Sequence, residues 1–538
     1  MCGIWLYMRK SDHQLQVSSG FEHFMKLKPR GPDNSIFKIS DDFIIGFHRL
    51  AIMGSIEDGS DQPFVINCRE TKDTIICLCN GEIYNFIELN DKYRLGVTDN
   101  ADCSVIPLLY KKCGFSVSKF TALFTQIVKG EFAFILVHLT CDKKVKRIIT
   151  GRDAIGVRPL YICNTNQYLV LSSEIKGIQF QDEFISESPP GKVSVYKQYD
   201  TKVQTIEFST IYKTKPELPL LDNESAITSN LRHSLINSVS RRLIANRPIS
   251  FLLSGGLDSS IVCAIATKLL GLENISTFCC GLGGGGTDMK YANIMAEYLN
   301  SSHTNVMFTE QEALETVPKV IECVETWDTT TIRASVGQYL VSQYISQNTD
   351  CKVVMVGETS DELLSGYVTN YYCKDPELLH ETAMKYVKEV HIFDCRRVDR
   401  CVSHFGLEAR VPYADPEFAL AAWTVPSEWR LPSYKGIEKY YLRKAFSDIL
   451  PHEILWRKKE AMSDGISSRD RSWFTILQEH ISKTHHMDER DYYKKHFIEI
   501  YGNKFADVIP HYWQPAFTND NTQNTEYVDP SARVLDVY

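Results

Sequence analysis

The sequence predicts two layered domains in series, a sheet-rich α+β half followed by an α/β half built on a parallel sheet. Three observations predict this. The chain has 538 residues, more than one hydrophobic core ordinarily supports. Its first part reads as short β-branched and apolar runs between turn residues. Beyond a polar, proline-containing stretch the rhythm changes to alternating strands and helices with a glycine-rich turn, the mark of a parallel sheet.

In the first half, Ile44 to Met53, Ile75 to Cys79 and Tyr168 to Leu171 read as strands, and Glu131 to Leu139 as a buried one. Helical patterns cover Phe86 to Tyr93 and Ser104 to Lys112. The stretch Lys213 to Asn223 (KTKPELPLLDN) reads as a connector. The domains are therefore expected at 2–205 and 224–517, with a linker at 206–223 and a polar tail at 518–538. In the second domain Ile227, Leu231, Leu235, Val239 and Leu243 recur every fourth place and predict an amphipathic helix. Ile249 to Leu253 reads as a strand, then a helix from about Asp258 to Leu270 and a strand at Ser276 to Cys280. A helix near Tyr291 to Leu299 and a strand at Lys352 to Val356 follow. The run Gly283 to Gly286 reads as a flexible connector, because glycine's permissive backbone suits that role.

Composition excludes several function classes. The net charge of −8 offers no basic footprint for nucleic acid and no polybasic membrane patch. No run approaches the roughly 18 apolar residues of a membrane span. The N-terminus turns basic after Met8 and lacks the apolar core of a signal peptide. Sixteen cysteines are scattered without zinc-ligand spacing. They read as reduced thiols, mostly buried, in a cytoplasmic protein.

Cys2 follows the initiator methionine. Removal of Met1 would leave a free α-amine on Cys2, and such an amine titrates near pH 7.7–8.0 in model peptides. It can take the thiol proton, so nucleophile and base sit on one residue. Arg30-Gly31-Pro32-Asp33, Arg49-Leu50-Ala51-Ile52, Asn80-Gly81-Glu82-Ile83-Tyr84-Asn85 and Asp102 follow in order. Each has a role if the substrate is glutamine. Arg49 could fork onto its α-carboxylate. Glu82 and Asp102 could receive its ammonium, and Asn80 with the Gly81 amide could stabilise a tetrahedral oxyanion.

This ordered set, with Gly151-Arg152-Asp153 and Pro159-Leu160-Tyr161, resembles the class II glutamine amidotransferases over most of residues 2 to 190. The resemblance implies an N-terminal nucleophile sandwich of αββα layers. It also implies a glutamine-binding group of Arg49, Leu50, Ala51, Ile52, Met53, Asn80, Gly81, Glu82 and Asp102. Phe47 stands two places before Arg49, where many members have a histidine, and His48 is adjacent.

Ser254-Gly255-Gly256-Leu257-Asp258-Ser259-Ser260 follows a strand and opens a helix, a junction where backbone N–H groups and the helix dipole attract phosphate. No Lys-Ser/Thr follows the glycines, so this is not a Walker loop. SGGLDSS instead resembles the pyrophosphate loop of the ATP pyrophosphatases, which cut ATP between its α- and β-phosphates. Gly357-Glu358-Thr359-Ser360-Asp361-Glu362 lies after the strand ending at Val356. Asp258 and Asp361 are hard oxygen ligands suited to Mg2+ on pyrophosphate.

Thr330-Thr331-Ile332-Arg333-Ala334-Ser335, Glu408-Ala409-Arg410-Val411-Pro412-Tyr413, Arg457-Lys458-Lys459-Glu460 and Ser463-Asp464-Gly465 extend the likeness. Combined with the first domain, the chain resembles the glutamine-hydrolysing asparagine synthetases over roughly residues 2 to 515, and Asp529-Pro530-Ser531 looks like the family's end. The resemblance implies ATP contacts at Leu252, Ser254, Gly255, Gly256, Asp258, Ser259, Cys280, Val356 and Gly357. It places Thr330, Thr331 and Arg333 near aspartate, and Glu358 and Lys459 among the catalytic residues with Cys2, Asn80 and Gly81. Val356 stands where serine is usual, Thr359 and Ser365 where glycines are common, and Cys280 where valine often lies near adenine.

The implied reaction begins with attack of Cys2 on glutamine, which releases ammonia. Aspartate and ATP form β-aspartyl-AMP and pyrophosphate, and ammonia converts the acyl adenylate to asparagine and AMP. Glutamine, aspartate and ATP are the expected small-molecule partners, with Mg2+ as cofactor and assembly as a homodimer left open. One alternative is a related ATP-dependent amidotransferase acting on another carboxylate. A second, of another class, is a non-catalytic regulatory or storage protein on the same scaffold; it would be expected to lose Cys2, Asp258 or Lys459, and all are present.

Overall fold

The computed structural model describes residues 1–506 except 11–14, 55–59, 98–100, 179–184, 212–219, 284, 461 and 469. The chain forms two units. The first comprises Met1–Thr210 with Ala245–Arg247 and Ser403–Glu408; the second comprises Ile211–Ile244, Pro248–Val402 and the residues from Ala409 onward.

Among the described residues the first unit carries twelve strands: β1 (Gly3–Arg9), β2 (Asn34–Ile39), β3 (Phe43–Arg49), β4 (Phe64–Asn67), β5 (Thr74–Ile83), β6 (Gly130–Leu139), β7 (Val145–Arg152), β8 (Tyr161–Asn164), β9 (Tyr168–Ser172), β10 (Ile185–Glu187), β11 (Lys192–Lys197) and β12 (Asp200–Glu207). They pair antiparallel into two six-stranded sheets, ordered β10-β8-β9-β1-β3-β2 and β12-β11-β7-β6-β5-β4. Successive side chains of a strand face opposite sides, and both faces of β1 are buried, which explains why it is apolar from Ile4 to Met8. Ile4, Leu6 and Met8 join Phe43, Ile45 and Phe47 in a buried cluster with Leu78, Ala133, Ile135 and Val137 of the other sheet. Trp5 points the opposite way, toward the helix Val17–Met25, where a Cβ on Gly20 would lie 3.0 Å from its ring. Helix Val117–Gln126 covers the second sheet through Phe120 and Phe124, whose rings pack on Phe134 at 6.0 and 5.7 Å. The layers are thus helix, sheet, sheet, helix, as expected. Each fully buried side chain of this size contributes about 1.5–3 kcal/mol.

The second unit is built on a five-stranded sheet of β13 (Ile249–Leu252), β14 (Ser276–Leu282), β15 (Ser302–Phe308), β16 (Val353–Met355) and β17 (Glu408–Arg410), ordered β15-β14-β13-β16-β17. β13 pairs parallel with β14 and with β16, and β14 parallel with β15. Chain order therefore reverses at β13, with β14 on one side and β16 on the other. In such sheets the crevice beyond the strands' carboxyl ends at the reversal is where ligands bind. Ser254 to Ser260 and Gly357 to Glu362 both emerge there.

Most expected elements appear near their expected limits, with informative differences. Ile227, Leu231, Leu235 and Val239 are fully buried on the helix Glu224–Arg241, whose N-cap Asn223 accepts from the Ser225 amide at 2.8 Å. Leu243 lies beyond that helix. The helix expected to Leu270 is α-helical over Leu257–Ala264 and widens to a π-helix over Ile265–Leu269. The strand expected over Ile44 to Met53 ends at Arg49, and Leu50 to Met53 continue as loop. β12 runs to Glu207, into the segment expected as linker. Residues 212–219 of that linker, Gly284 of the glycine run, and the tail 518–538 with Asp529-Pro530-Ser531 lie outside the described residues.

Candidate active sites

Cys2 immediately precedes β1, and its carbonyl accepts a hydrogen bond from Arg30 Nε at 3.0 Å. Arg30 is itself buried against Glu174, Nη1 to Oε1 at 2.7 Å. Arg30 of the Arg-Gly-Pro-Asp motif therefore anchors the Cys2 backbone. Cys2 Sγ accepts from the Leu50 amide at 3.5 Å and points at the Leu50 carbonyl at 3.8 Å. Burial pushes the thiol up to about 11, against the pull of the adjacent N-terminal ammonium. Burial also lowers the Met1 amine to about 6. Its nitrogen donates to Leu407 O at 3.2 Å.

Arg49 closes β3 and is 4% exposed. Its Nη1 meets Asp61 Oδ1 at 2.6 Å, and its Nη2 donates to Ser60 Oγ at 2.6 Å and Met53 O at 3.3 Å. Asp61 and Ser60 were not legible from the motif, yet they support the guanidinium. Phe47 is a core residue between the sheets, so the neighbouring place supplies no polar support. Leu50 to Met53 continue from Arg49; the Ala51 amide donates to Asp33 Oδ2 at 2.8 Å, and the Ile52 carbonyl accepts from Asn246 N at 3.0 Å.

Asn80 and Gly81 lie within β5, facing Ala133 and Phe132 of β6. Gly81 has φ +143°, and a Cβ there would stand 2.0 Å from the Glu131 carbonyl oxygen, so only glycine fits. Both polar side-chain atoms of Asn80 are buried and find no hydrogen-bond partner among the described residues. A buried amide left so is costly unless something else pairs with it. Asp102 Oδ2 accepts from the Ile83 amide at 2.6 Å and from Cys103 Sγ at 3.2 Å, while Cys103 Sγ also reaches Gly81 O at 3.2 Å. These contacts bring Asp102 beside the Asn80-Gly81-Glu82 segment, in which Glu82 is buried. Burial raises the Asp102 carboxyl to about 6.

In the second unit, Leu252 ends β13, and Gly255 turns the chain with φ +70°. A Cβ on Gly255 would lie 2.3 Å from the Tyr291 carbonyl carbon, which excludes any other residue. Gly256 caps the helix Leu257–Ala264. Its amide donates to Ser254 Oγ at 3.2 Å, and Ser254 and Ser259 hydroxyls are 3.1 Å apart. Gly357 passes so close to this loop that a Cβ would stand 2.8 Å from Ser259 N. The Val356 amide is taken by Arg410 O at 3.1 Å, and Cys280 Sγ points at Gly337 O at 3.4 Å.

The charged residues converge on two ammonium groups. Lys439 Nζ lies 2.7 Å from Asp258 Oδ2 and 2.6 Å from Asp361 Oδ1. Lys459 Nζ lies 2.6 Å from Asp361 Oδ2. Burial alone would raise the Asp361 carboxyl; the two lysines outweigh it and hold it well below the usual range. Burial would likewise lower Lys459, and Asp361 with Asp258 outweighs it, keeping the ammonium charged. Lys439 was missed by sequence reading, since no motif or spacing ties it to either aspartate. The donor set of two carboxylates around one positive charge fits a hard divalent cation. Among the described residues no group of three or more His, Cys, Asp or Glu side chains could hold a metal ion.

Glu358 stands at the mouth of β16. Its Oε1 accepts from Gln338 Nε2 at 3.1 Å and Arg397 Nη1 at 3.2 Å. Thr330 and Thr331 hydroxyls both donate to Asp328 Oδ2 at 2.7 Å, capping the helix Thr329–Asn348. Arg333 is 2% exposed and bidentate on Glu489, with Nε to Oε1 at 2.7 Å and Nη2 to Oε2 at 2.5 Å. These three residues share one helix, but their polar groups serve protein partners in this structure.

Comparison with known proteins adds to the geometry. A glutamine amidotransferase domain model matches residues 1–224, and an asparagine synthase model matches residues 230–376 and 373–523. The chain is 36% identical to the glutamine-hydrolysing asparagine synthetase of Gallus gallus, and 35% identical to those of Bos taurus and Homo sapiens. Each comparison covers 100% of this chain and 99% of the relative.

Proposed function

The chain belongs to the family of glutamine-hydrolysing asparagine synthetases, and from that premise we propose how its residues divide the work. It is an ATP-dependent ligase that makes asparagine with nitrogen from glutamine. The observation that carries the assignment of residues is the convergence of Asp258, Asp361 and Lys459 at the carboxyl ends of parallel strands, beside the Ser254–Ser260 loop.

In the first unit Cys2 attacks the glutamine side-chain amide, and its own α-amine, freed by loss of Met1, takes the thiol proton. The unpaired Asn80 amide and the Gly81 N–H receive the oxyanion. Asp102 and Glu82 hold the α-ammonium, and Arg49 with the loop Leu50 to Met53 holds the α-carboxylate. Collapse of the intermediate releases ammonia and leaves a glutamyl thioester, which water hydrolyses to glutamate.

In the second unit ATP lies along Leu252, Ser254, Gly255, Gly256, Ser259, Cys280, Val356 and Gly357. The aspartate carboxylate, on the side of Thr330, Thr331 and Arg333, attacks the α-phosphate and pyrophosphate leaves. Lys459 stabilises charge developing on the phosphates. Mg2+, held by Asp258 and Asp361, would neutralise pyrophosphate charge when bound. Ammonia then displaces AMP, with Glu358 taking the surplus proton. A cytoplasmic location and assembly as a homodimer belong to the same reading; sixteen cysteines scattered without a disulfide framework support the former. No helix among the described residues is long and apolar enough to cross a membrane.

The test is a steady-state assay with glutamine, ATP, Mg2+ and a panel of carboxylates, together with positional oxygen exchange in labelled ATP. Aspartate should be the preferred acceptor, with AMP and pyrophosphate as products. Lys459→Ala should lose exchange, whereas Glu358→Gln should keep some exchange and make little asparagine. ADP and phosphate as stoichiometric products would overturn the assignment.

A further inference from the structure

We infer that Gln338 and Arg397 are positioning residues for amide formation, fixing one oxygen of Glu358 and leaving the other to take the proton from the incoming amine. The inference rests on the reading of Glu358 given above.

Gln338 sits on the helix Thr329–Asn348 and Arg397 on the helix Asp394–Ser403, so neither is a sequence neighbour of Glu358. Gln338 is 0% exposed and Arg397 3%. Arg397 Nη1 donates to Gln338 Oε1 at 2.8 Å and to Glu358 Oε1 at 3.2 Å. Gln338 Nε2 completes the ring by donating to the same Glu358 oxygen at 3.1 Å. This fixes the orientation of the Gln338 amide, because the carbonyl must face the guanidinium and the NH2 the carboxylate. The guanidinium is held from its other side by Asp394, 3.2 Å from Nη2.

A buried glutamine is ordinarily explained by hydrogen bonds that satisfy the fold. Here both hydrogen bonds of the amide close on the one carboxylate proposed for proton transfer and on the arginine beside it. Glu358 Oε2 accepts no hydrogen bond from the described residues, and the side chain keeps 14% exposure. The carboxylate is thus held on one oxygen and open on the other. In the amide-forming step the ammonia nitrogen bonds to the acyl carbon of aspartyl adenylate. The carbon–oxygen bond to phosphate breaks, AMP leaves with that electron pair, and the surplus proton on nitrogen passes to Glu358 Oε2. Two donors on Oε1 fix where that lone pair lies and disfavour protonation at the occupied oxygen.

The test uses the full chain with ammonium as nitrogen donor, plus aspartate, ATP and Mg2+. Gln338→Met keeps volume and removes both amide bonds. The expected result is a roughly 10- to 100-fold fall in kcat for asparagine, the size of effect that misplacing a reacting group produces. Positional exchange in ATP should fall much less, and KM for aspartate and ATP should hold. AMP should then exceed asparagine, as unreacted adenylate is hydrolysed. Arg397→Lys should give the same split, and supplies the test should Gln338→Met not fold. Unchanged asparagine per AMP in the folded variant overturns the inference. Equal loss of exchange and asparagine marks a structural role and overturns it too. Normal asparagine formation by Glu358→Gln would instead defeat the underlying assignment of Glu358.

Discussion

Lys439 pairs with Asp258, Nζ to Oδ2 at 2.7 Å, across 181 residues of chain. The same ammonium lies 2.6 Å from Asp361. Lys439→Met would leave the partly buried Asp258 and Asp361 carboxylates without that cation. Removing one partner of a buried pair costs about 3–5 kcal/mol, and chemical denaturation at neutral pH should show a loss of that order. The lysines depress the Asp361 pKa below its ordinary 3.8. A depressed carboxyl stabilises above its unfolded pKa and loses that contribution as pH falls toward the folded value. The gap between parent and variant should therefore narrow below about pH 4. A gap independent of pH would contradict the pairing.

Cys2 and Met1 make a prediction about processing and division of labour. Intact-mass measurement should show a chain beginning at Cys2. Cys2→Ala should lose glutamine-dependent synthesis and keep synthesis from added ammonium. A Met1-retaining chain with full glutaminase activity would rule out the α-amine as base.

Asp102 predicts a pH dependence in glutamine binding. Burial raises its carboxyl to about 6, so it is protonated below that value and cannot hold an ammonium by charge. KM for glutamine should fall as pH rises through about 6, and Asp102→Asn should raise KM and flatten that limb. The stability sign is opposite. The folded state binds more protons between the ordinary value of 3.8 and about 6, so this group's contribution weakens as pH rises across that window.

Thr359 and Ser365 bracket the helix Ser360–Leu364 with φ of +77° and +54°. Both hydroxyls are buried and make no hydrogen bond among the described residues. A left-handed backbone costs a non-glycine residue about 1–2 kcal/mol, more tolerable for serine than for branched threonine. Thr359→Gly should stabilise the protein by about 1 kcal/mol after glycine's extra chain entropy is subtracted. Ser365→Gly should gain less. Thermal melting checks both, and a lower midpoint for Thr359→Gly would show that its side chain serves packing.

Much of the architecture was legible because it is written in short-range pattern. The four-residue repeat of Ile227, Leu231, Leu235 and Val239 marks a buried helical face, and all four are 0% exposed. Gly255 of the Ser254–Ser260 loop announces a turn that a Cβ would block. The likeness of the Asn80–Asn85 segment pointed to a backbone approach that the structure places against β6. Boundaries were less legible. Leu243 keeps the period yet lies past the helix, because hydrogen bonding and tertiary packing, not periodicity, end it.

By itself the sequence determined the two layered domains, and it put forward Cys2 as the nucleophile and the loops proposed to surround the reacting groups, since each depends on residues adjacent or a few places apart. Only the tertiary structure decided who partners whom. It gave Arg49 to Asp61, Arg333 to Glu489, Lys439 to two distant aspartates, and the Gln338 amide to Glu358 and Arg397. A charge in a sequence has no direction. Its partner is set by which strand ends and helix faces pack together, and by the cost of burying any charge that packing leaves unpaired.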